Sequence, residues 1–320
     1  MRTLKLMLVA ALITAAAAPV MFLVAYLMVL ALTYVNRPPE ADSVYRVHLE
    51  YTVTGTPHEP EEPKDGAGSG IIVQASHTVQ KLGSGSAVSA DGYILTARHV
   101  ADIVYDVPEM CAGILLKNGR SIGMDDMFAT DVRIAFVTLR VIAADGTAWH
   151  GYGYAPMDDG GLCDGELVPR IEWHEISRAR IVAMDPLADL ALIKVDAENL
   201  PHLEPSEDWP PAGSALTALG VVSNVEQVIR GDIISPCTPR MSTRPWPSRM
   251  PTVQMSQTLR HGMSGGPAVS DDRLLGINVQ IDVEKPENGS YAVAGPYVAR
   301  WYDWVRGRRD VRPLPECPAP

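Results

Sequence analysis

The chain has 320 residues, of which 47% are hydrophobic and 20% charged, so one or two domains with a sizeable core are expected. The formal net charge of -11 argues against nucleic acid as a partner, because an acidic surface repels a polyanion. The only dense basic cluster lies near the C-terminus, at Arg306, Arg308, Arg309 and Arg312.

The N-terminal segment 6–35 has no charged residue and exceeds the roughly 20 apolar residues that cross a bilayer. A cleaved signal peptide has a shorter apolar core of roughly 7–15 residues, so we favour an uncleaved transmembrane helix, with cleavage near residues 15–18 as the alternative. Arg2 and Lys5 precede this segment and should keep the N-terminus in the cytoplasm. We therefore expect a single-pass inner (cytoplasmic) membrane protein, with residues 1–36 forming the cytoplasmic tip and anchor and the rest of the chain periplasmic or otherwise extracytoplasmic.

The cysteines all follow the predicted anchor, in a compartment where disulfides persist. Four cysteines allow three pairings, and the sequence does not choose among them. We favour Cys111 with Cys163, and Cys237 with Cys317, the second pair holding down a proline-rich tail at 311–320. Neither a C-x-x-C pair nor a zinc-like His/Cys spacing is present, so no metal is expected.

Residues 37–70 are interpreted as a stalk, with a short strand at Ser43–Thr54 followed by a linker rich in proline, glycine and acidic residues. From residue 71 onward, short apolar stretches alternate with turns, which favours antiparallel strands in a sandwich or barrel. Ala-Asp-Gly at 90–92 predicts a hairpin turn. The late segment YVARWYDWVRGRR has apolar residues at helical spacing and predicts one helix.

The stretch LRHGMSGGP contains a serine, Ser264, that is either a nucleophile or part of an ordinary glycine-rich turn. It also satisfies the G-x-S-x-G motif of α/β-hydrolases, in which the histidine follows the serine. The last histidine in this chain is His261, so that class is excluded.

A base and an acid are available upstream of the serine. His99 ends the strand-like segment GYILTARHV, and Asp189 directly precedes the apolar strand LALIKVD. A carboxylate buried at the start of a strand needs a donor, and an imidazole N–H would serve. Asp185 and Asp196 compete for the acid role, and we interpret both as solvated caps.

In the stretches TARHV, DLAL and GMSGGP, the order His99, Asp189, Ser264 resembles the trypsin-like serine proteases, most of all their bacterial HtrA (Deg) branch. GSGSAVSADGYILTARHV matches that branch over many positions, and LLGINVQI followed by YAVAGP resembles its strand pair after the nucleophile. The resemblance covers about residues 71–309. It implies an all-β protease domain at 71–310, made of two antiparallel six-stranded barrels and a C-terminal helix. The first barrel would hold His99 and Asp189, the second Ser264, and the site would lie in the cleft between them.

The resemblance also implies the role of each residue. Ser264 would attack the scissile carbonyl, His99 would act as general base and then as acid, and Asp189 would fix the imidazole. The backbone N–H groups of Gly262 and Ser264 would form the oxyanion hole.

The same resemblance places three residues in the substrate pocket: Leu259, Asn278 and Ile281. Leu259 fits a plain core position equally well. The segment MSQTLRH before the nucleophile has no acid, so we expect cleavage after small or medium apolar residues rather than after arginine. The expected partner is a polypeptide substrate, and no cofactor is expected.

Three departures from the family pattern matter. Met263 stands where the family usually has Asn or Asp, which removes a polar contact and excludes trypsin-style activation by a processed N-terminus. The interval of 90 residues between His99 and Asp189 is longer than in HtrA relatives. We interpret the additional residues, about 106–177, as an insertion that forms a lid, a partner site or a surface decoration. Few residues follow Arg309, so no PDZ domain is expected in this chain.

We therefore expect a membrane-anchored extracytoplasmic serine endopeptidase. The alternative is a protease-fold binding or regulatory protein without activity, which the unusual Met263 keeps open. Relatives in the HtrA branch often form trimers, and a homo-oligomer is left open here.

Overall fold

The structure, a computed structural model, describes residues 37–56, 75–103, 114–117, 120–123, 130–154, 171–185, 187–241, 249–281 and 289–310, with a few isolated positions outside these ranges. The predicted anchor at 6–35 lies outside the described residues except for four helical positions, 22, 23, 26 and 28. Within the part of the chain that is described, no helix has both the length and the apolar character needed to span a bilayer. The chain divides into two compact units, Met1–Ala41 and Asp42–Pro320, and the second contains the two barrels described below.

The described part of the second unit is mostly β-structure. Its strands are β1 (Val44–Thr56), β2 (Ala75–Ala87), β3 (Tyr93–Ala97), β4 (Ile114–Lys117), β5 (Arg120–Gly123), β6 (Thr130–Ile142), β7 (Ala148–Tyr154), β8 (Glu172–Trp173), β9 (Ala179–Asp185), β10 (Leu190–Val195), β11 (Ala215–Val222), β12 (Val225–Met241), β13 (Arg249–Met255), β14 (Pro267–Ser270), β15 (Arg273–Ile281) and β16 (Ser290–Ala294). The helices are α1 (Arg98–Ala101) and α2 (Gly295–Val305), and a short 3₁₀ turn covers Pro39–Ser43.

The first sheet has eight antiparallel strands in the order β8-β7-β6-β1-β2-β3-β10-β9. It curls into a barrel-like shape because the residues before β9 return to β7, where the Arg178 N–H donates to His150 O at 2.8 Å. Alternate side chains of β1, among them Val47, Leu49 and Tyr51, are buried in its interior. The predicted first barrel thus exists, with eight strands in its sheet rather than six.

Two predicted boundaries change in the structure. The strand assigned to a stalk at 37–70 is β1, and it lies inside the first sheet, paired with β2 on one edge and with β6 on the other. Its alternating apolar residues need a core to pack into, which explains why the strand lies inside the sheet. The predicted insertion at 106–177 likewise supplies β6 and β7 to the sheet. Cys111 and Cys163 lie outside the described residues, while β4 and β5 form a separate hairpin.

The second sheet is a closed six-stranded barrel in the order β11-β12-β13-β16-β15-β14, as predicted. The predicted C-terminal helix is α2, and it buries Val298, Trp301 and Tyr302. A disulfide joins Cys237 of β12 to Cys317 in the tail, with Cα atoms 5.7 Å apart, which confirms one of the two favoured pairs.

Candidate active site

The predicted nucleophile lies in the loop between β13 and β14, which begins with a tight turn. The Met263 N–H donates to Arg260 O at 3.1 Å and so closes a four-residue turn. Gly262, the third residue of this turn, has a φ of +96°. A positive φ at that position defines a type II turn and favours glycine. In a type II turn the peptide between His261 and Gly262 has the opposite orientation to that in a type I turn.

Ser264 is half-buried at the next turn of the same loop. Its carbonyl oxygen accepts a hydrogen bond from the Ser84 N–H of β2, and the following Gly265 N–H donates to Asn278 O, at 2.8 and 2.7 Å. Among the residues that the structure describes, no acceptor bonds the N–H of Gly262 or of Ser264. The two donors predicted for an oxyanion hole are therefore unengaged in the described structure.

His99 lies in the single-turn helix α1 of the first barrel and contacts Asp189 twice. Its ring Nδ1 is 2.7 Å from Asp189 Oδ2, and its backbone N–H donates to Asp189 Oδ1 at 2.9 Å. A carboxylate accepts hydrogen bonds, so this contact favours the imidazole tautomer that has its proton on Nδ1 and its lone pair on Nε2. The two side chains are 26% and 13% exposed, so the pair is largely shielded from solvent and His99 is the more accessible of the two.

Asp189 is the last residue of a turn between β9 and β10, and it has a φ of +53°. Aspartate is among the few non-glycine residues that adopt this left-handed conformation readily. The Asp189 carbonyl oxygen accepts from the Arg98 N–H at 2.9 Å, which ties the turn to α1. The backbone and the side chain of Asp189 therefore both fix the position of the neighbouring His99.

Asp185 holds the other end of this turn, and its environment differs from the prediction. It was predicted to be a solvated cap, but it is completely buried. Its Oδ1 accepts from the N–H groups of Leu187 and Ala188 at 2.9 and 3.3 Å, and its Oδ2 accepts from the Tyr297 hydroxyl of α2. The Asx-type turn of Asp185 is local and could be predicted from the sequence. Its bond to Tyr297 could not be predicted in that way, because the two residues are 112 positions apart. Asp196, the other competing acid, is exposed as predicted.

The two barrels approach each other closely at the nucleophile loop. A Cβ atom placed on Gly83 would lie 2.6 Å from the Val100 side chain and 2.9 Å from Ser264 O. A Cβ atom on Gly265 would lie 2.2 Å from Thr96 Oγ1. Val100 and Thr96 flank the predicted base, so glycines on both sides of the cleft allow the predicted nucleophile and base segments to meet.

Met263 replaces the usual polar residue of this loop with an apolar contact. Its side chain is completely buried in the core of the second barrel. Gly220 leaves the space for it, because a Cβ atom there would lie only 2.8 Å from Met263 Cα. The side chain between the two predicted oxyanion donors is therefore fixed by packing.

The residues predicted for the substrate pocket are mostly inside the second barrel. Leu259 is 5% exposed and its N–H donates to Ser290 Oγ. Asn278 is completely buried, and its amide donates to Leu219 O and Pro267 O at 3.1 and 3.4 Å. The side chain of Ile281 lies outside what the structure describes. Their assignment to a pocket remains a prediction, because the two described side chains contribute little or no open surface here.

Comparison with known proteins defines the class. Residues 83–277 match the trypsin-like peptidase domain family, which is more than half of the chain, so the chain belongs to that family. The chain is 25% identical over 245 residues to a probable periplasmic serine endoprotease DegP-like of Pseudomonas fulva, covering 76% of this chain and 36% of the relative. It is 30% identical over 136 residues to the serine endoprotease DegS of Escherichia coli, covering 40% of this chain and 38% of that protein. The predicted resemblance to the HtrA branch is confirmed.

A solved structure gives the same fold. The HtrA-type protease AlgW with decapeptide superposes with a TM-score of 0.50 at 18% identity, covering 84% of this chain and 66% of that chain. By sequence, the chain spans about a third of the length of the DegP-like relative in Pseudomonas fulva, 36%.

Proposed function

We propose that this protein is an HtrA-type serine endopeptidase whose catalytic triad is His99, Asp189 and Ser264. The observation that carries the proposal is the double contact between one carboxylate and His99, at 2.7 Å to the ring and 2.9 Å to the backbone. This contact sets the tautomer that a general base needs, with the Nε2 lone pair available for a serine hydroxyl.

The proposed steps are those of a serine protease triad. Ser264 Oγ bonds to the scissile carbonyl carbon while its proton passes to His99 Nε2, and Asp189 stabilises the resulting imidazolium. The carbonyl oxygen becomes an oxyanion and accepts hydrogen bonds from the N–H groups of Gly262, in the type II turn, and of Ser264, at the turn that follows. The imidazolium then protonates the leaving amine, and a water molecule repeats the sequence to release the acyl group from Ser264.

The proposed substrates are polypeptides cut after small or medium apolar residues. The support is that the segment 255–261, just before the nucleophile, contains no acid and that Leu259 is apolar. The proposed location is extracytoplasmic, with segment 6–35 as a membrane anchor. The charge-free length of that segment supports the anchor, and the periplasmic relatives support the compartment.

The test is fluorophosphonate labelling of the full-length chain in detergent, read by mass spectrometry. We expect one labelled residue, Ser264, and no label on Ser264→Ala. Asp189→Asn should lower the labelling rate by about 10⁴-fold, because the wrong imidazole tautomer is then favoured. A folded protein that takes no label would refute the proposal and support the alternative of an inactive binding protein.

A positive labelling result allows the specificity to be measured separately. Digestion of a peptide library should yield cuts after alanine, valine and residues of similar size. A clear preference for arginine or lysine would contradict the proposed pocket without affecting the triad.

A further inference from the structure

Ser84, on β2 of the first barrel, touches the nucleophile loop of the second barrel with both its backbone and its side chain. Its N–H donates to Ser264 O at 2.8 Å, and its hydroxyl donates to Gly262 O at 2.8 Å. The hydroxyl also accepts from the Val221 N–H of β11 at 2.8 Å. Ser84 is completely buried, so these contacts are shielded from water.

From these contacts we propose that the Ser84 hydroxyl is a positioning group that anchors the oxyanion turn at 260–263, and with it the Gly262 N–H, to the first barrel. This inference rests on the proposed peptidase function. Ser84 is not part of the triad, and it acts by positioning Gly262 rather than by contacting the substrate.

The orientation of the hydroxyl is determined by its second partner. A serine hydroxyl has one proton and two acceptor positions. Because the Val221 N–H occupies an acceptor position, the proton is directed to Gly262 O. The peptide that follows Gly262 is then held at both ends, since the Met263 N–H donates to Arg260 O at 3.1 Å.

Holding this peptide fixes the position of Gly262, whose N–H is one of the two predicted oxyanion donors. A change from type II to type I reverses the peptide between His261 and Gly262 and takes the φ of Gly262 from its positive value to a negative one. The Gly262 N–H then points away from the substrate. That rotation leaves the Gly262 carbonyl nearly in place, so the Ser84 bond sets where the turn lies rather than which type it adopts.

Ser86 provides a matched control on the same face of β2. It is also completely buried, and among the described residues its hydroxyl has no hydrogen-bond partner. Ser86→Ala therefore removes a buried hydroxyl two residues along the strand without touching the turn. The Ser84 N–H bond to Ser264 O is a backbone contact and is retained in every side-chain variant.

The experiment compares full-length parent, Ser84→Ala, Ser86→Ala and Ser264→Ala in detergent. Hydrolysis of p-nitrophenyl acetate gives kcat and KM, and fluorophosphonate labelling gives the acylation rate of Ser264. We expect Ser84→Ala to lower kcat and the labelling rate by about 10–100-fold, somewhat less than removal of an oxyanion donor, with KM unchanged within about twofold. Ser86→Ala should match the parent.

The outcomes separate this inference from the proposed function. A parent that shows no Ser264-dependent reaction refutes the peptidase function and this inference with it. A reactive parent with Ser84→Ala equal to Ser86→Ala, or with a change in KM alone, refutes only the role of Ser84. If thermal melting shows that Ser84→Ala does not fold, Ser84→Cys takes its place, because a thiol is a weaker donor and acceptor of similar size. A folded Ser84→Cys variant slowed by about fivefold or more supports the role, and one that reacts at the parental rate refutes it.

Discussion

Replacing Gly262 by alanine would show whether the type II turn is required for activity. The new Cβ atom would lie 3.3 Å from Val221 O and 3.5 Å from Val222 Cγ2, so there is nearly enough space for it. The cost comes from the backbone, because a non-glycine residue in the left-handed region is destabilised by about 1–2 kcal/mol. The turn can relieve this strain by changing to type I, which removes the Gly262 N–H from the oxyanion hole. Loss of one such donor lowers kcat by about 10²–10³-fold.

Gly146→Ala is the matched control for this backbone effect. Gly146 has a similar φ of +87°, in the turn between β6 and β7, and a Cβ atom there would have no described neighbour within 4 Å. Both variants should lose about 1 kcal/mol in the free energy of unfolding, measured in urea. In p-nitrophenyl acetate hydrolysis, only Gly262→Ala should lose kcat, by about 100-fold or more. Equal kcat values within threefold for the two variants would refute the link between this turn and activity.

Other contacts give further predictions. Met263→Ala should lower the free energy of unfolding in urea by about 2–5 kcal/mol and reduce Ser264 labelling, whereas Met263→Leu should preserve both. Tyr297→Phe removes a donor from buried Asp185 and should cost about 1–3 kcal/mol in the same assay, with a lower kcat because the adjacent turn carries the proposed acid. Cys237→Ala opens a loop of 80 residues and should cost about 4 kcal/mol under oxidising conditions, and a reductant should abolish the difference from the parent. Burial lowers the pKa of His48 below its usual 6.5, so the unfolded chain binds the proton more tightly. Stability should therefore fall as the pH drops below about 6.5, and His48→Gln should weaken that dependence in urea titrations at several pH values.

The short-range patterns of the sequence predicted the elements that carry the candidate site. Strands on either side of GMSGGP and the helical spacing around Trp301 are local features, and both agree with the structure. The candidate base and acid were also identifiable, because each stands at the end of a strand where a polar side chain needs a partner. The pairing of β3 with β10 places Ala97 opposite Leu190 and so brings His99 and Asp189 close together.

Contacts between distant parts of the chain were not predictable in the same way. Ser84 and Gly262 are 178 residues apart, and nothing in the segment LGSGSAV distinguishes the hydroxyl of Ser84 from that of Ser86. The strand β1 has the alternation of a strand, but the proline- and acid-rich segment after it suggested a stalk. Its pairing with β2 and with β6, as in Arg46 with Ile142, shows that it belongs to the sheet.

The described contacts around Met263 and Ser264 are made between neutral groups. Met263 is buried among apolar side chains, Ser84 and Asn278 bond its backbone, and the turn is closed by its own peptide groups. An aspartate at position 263 would bring a charge into this core and would need an ionic partner there. Because methionine needs none, the order of the loop does not depend on forming an ion pair. Met263, the residue that departs most from the family pattern, thus orders the loop by packing rather than by charge. Its presence is compatible with an assembled site and is not evidence for an inactive one.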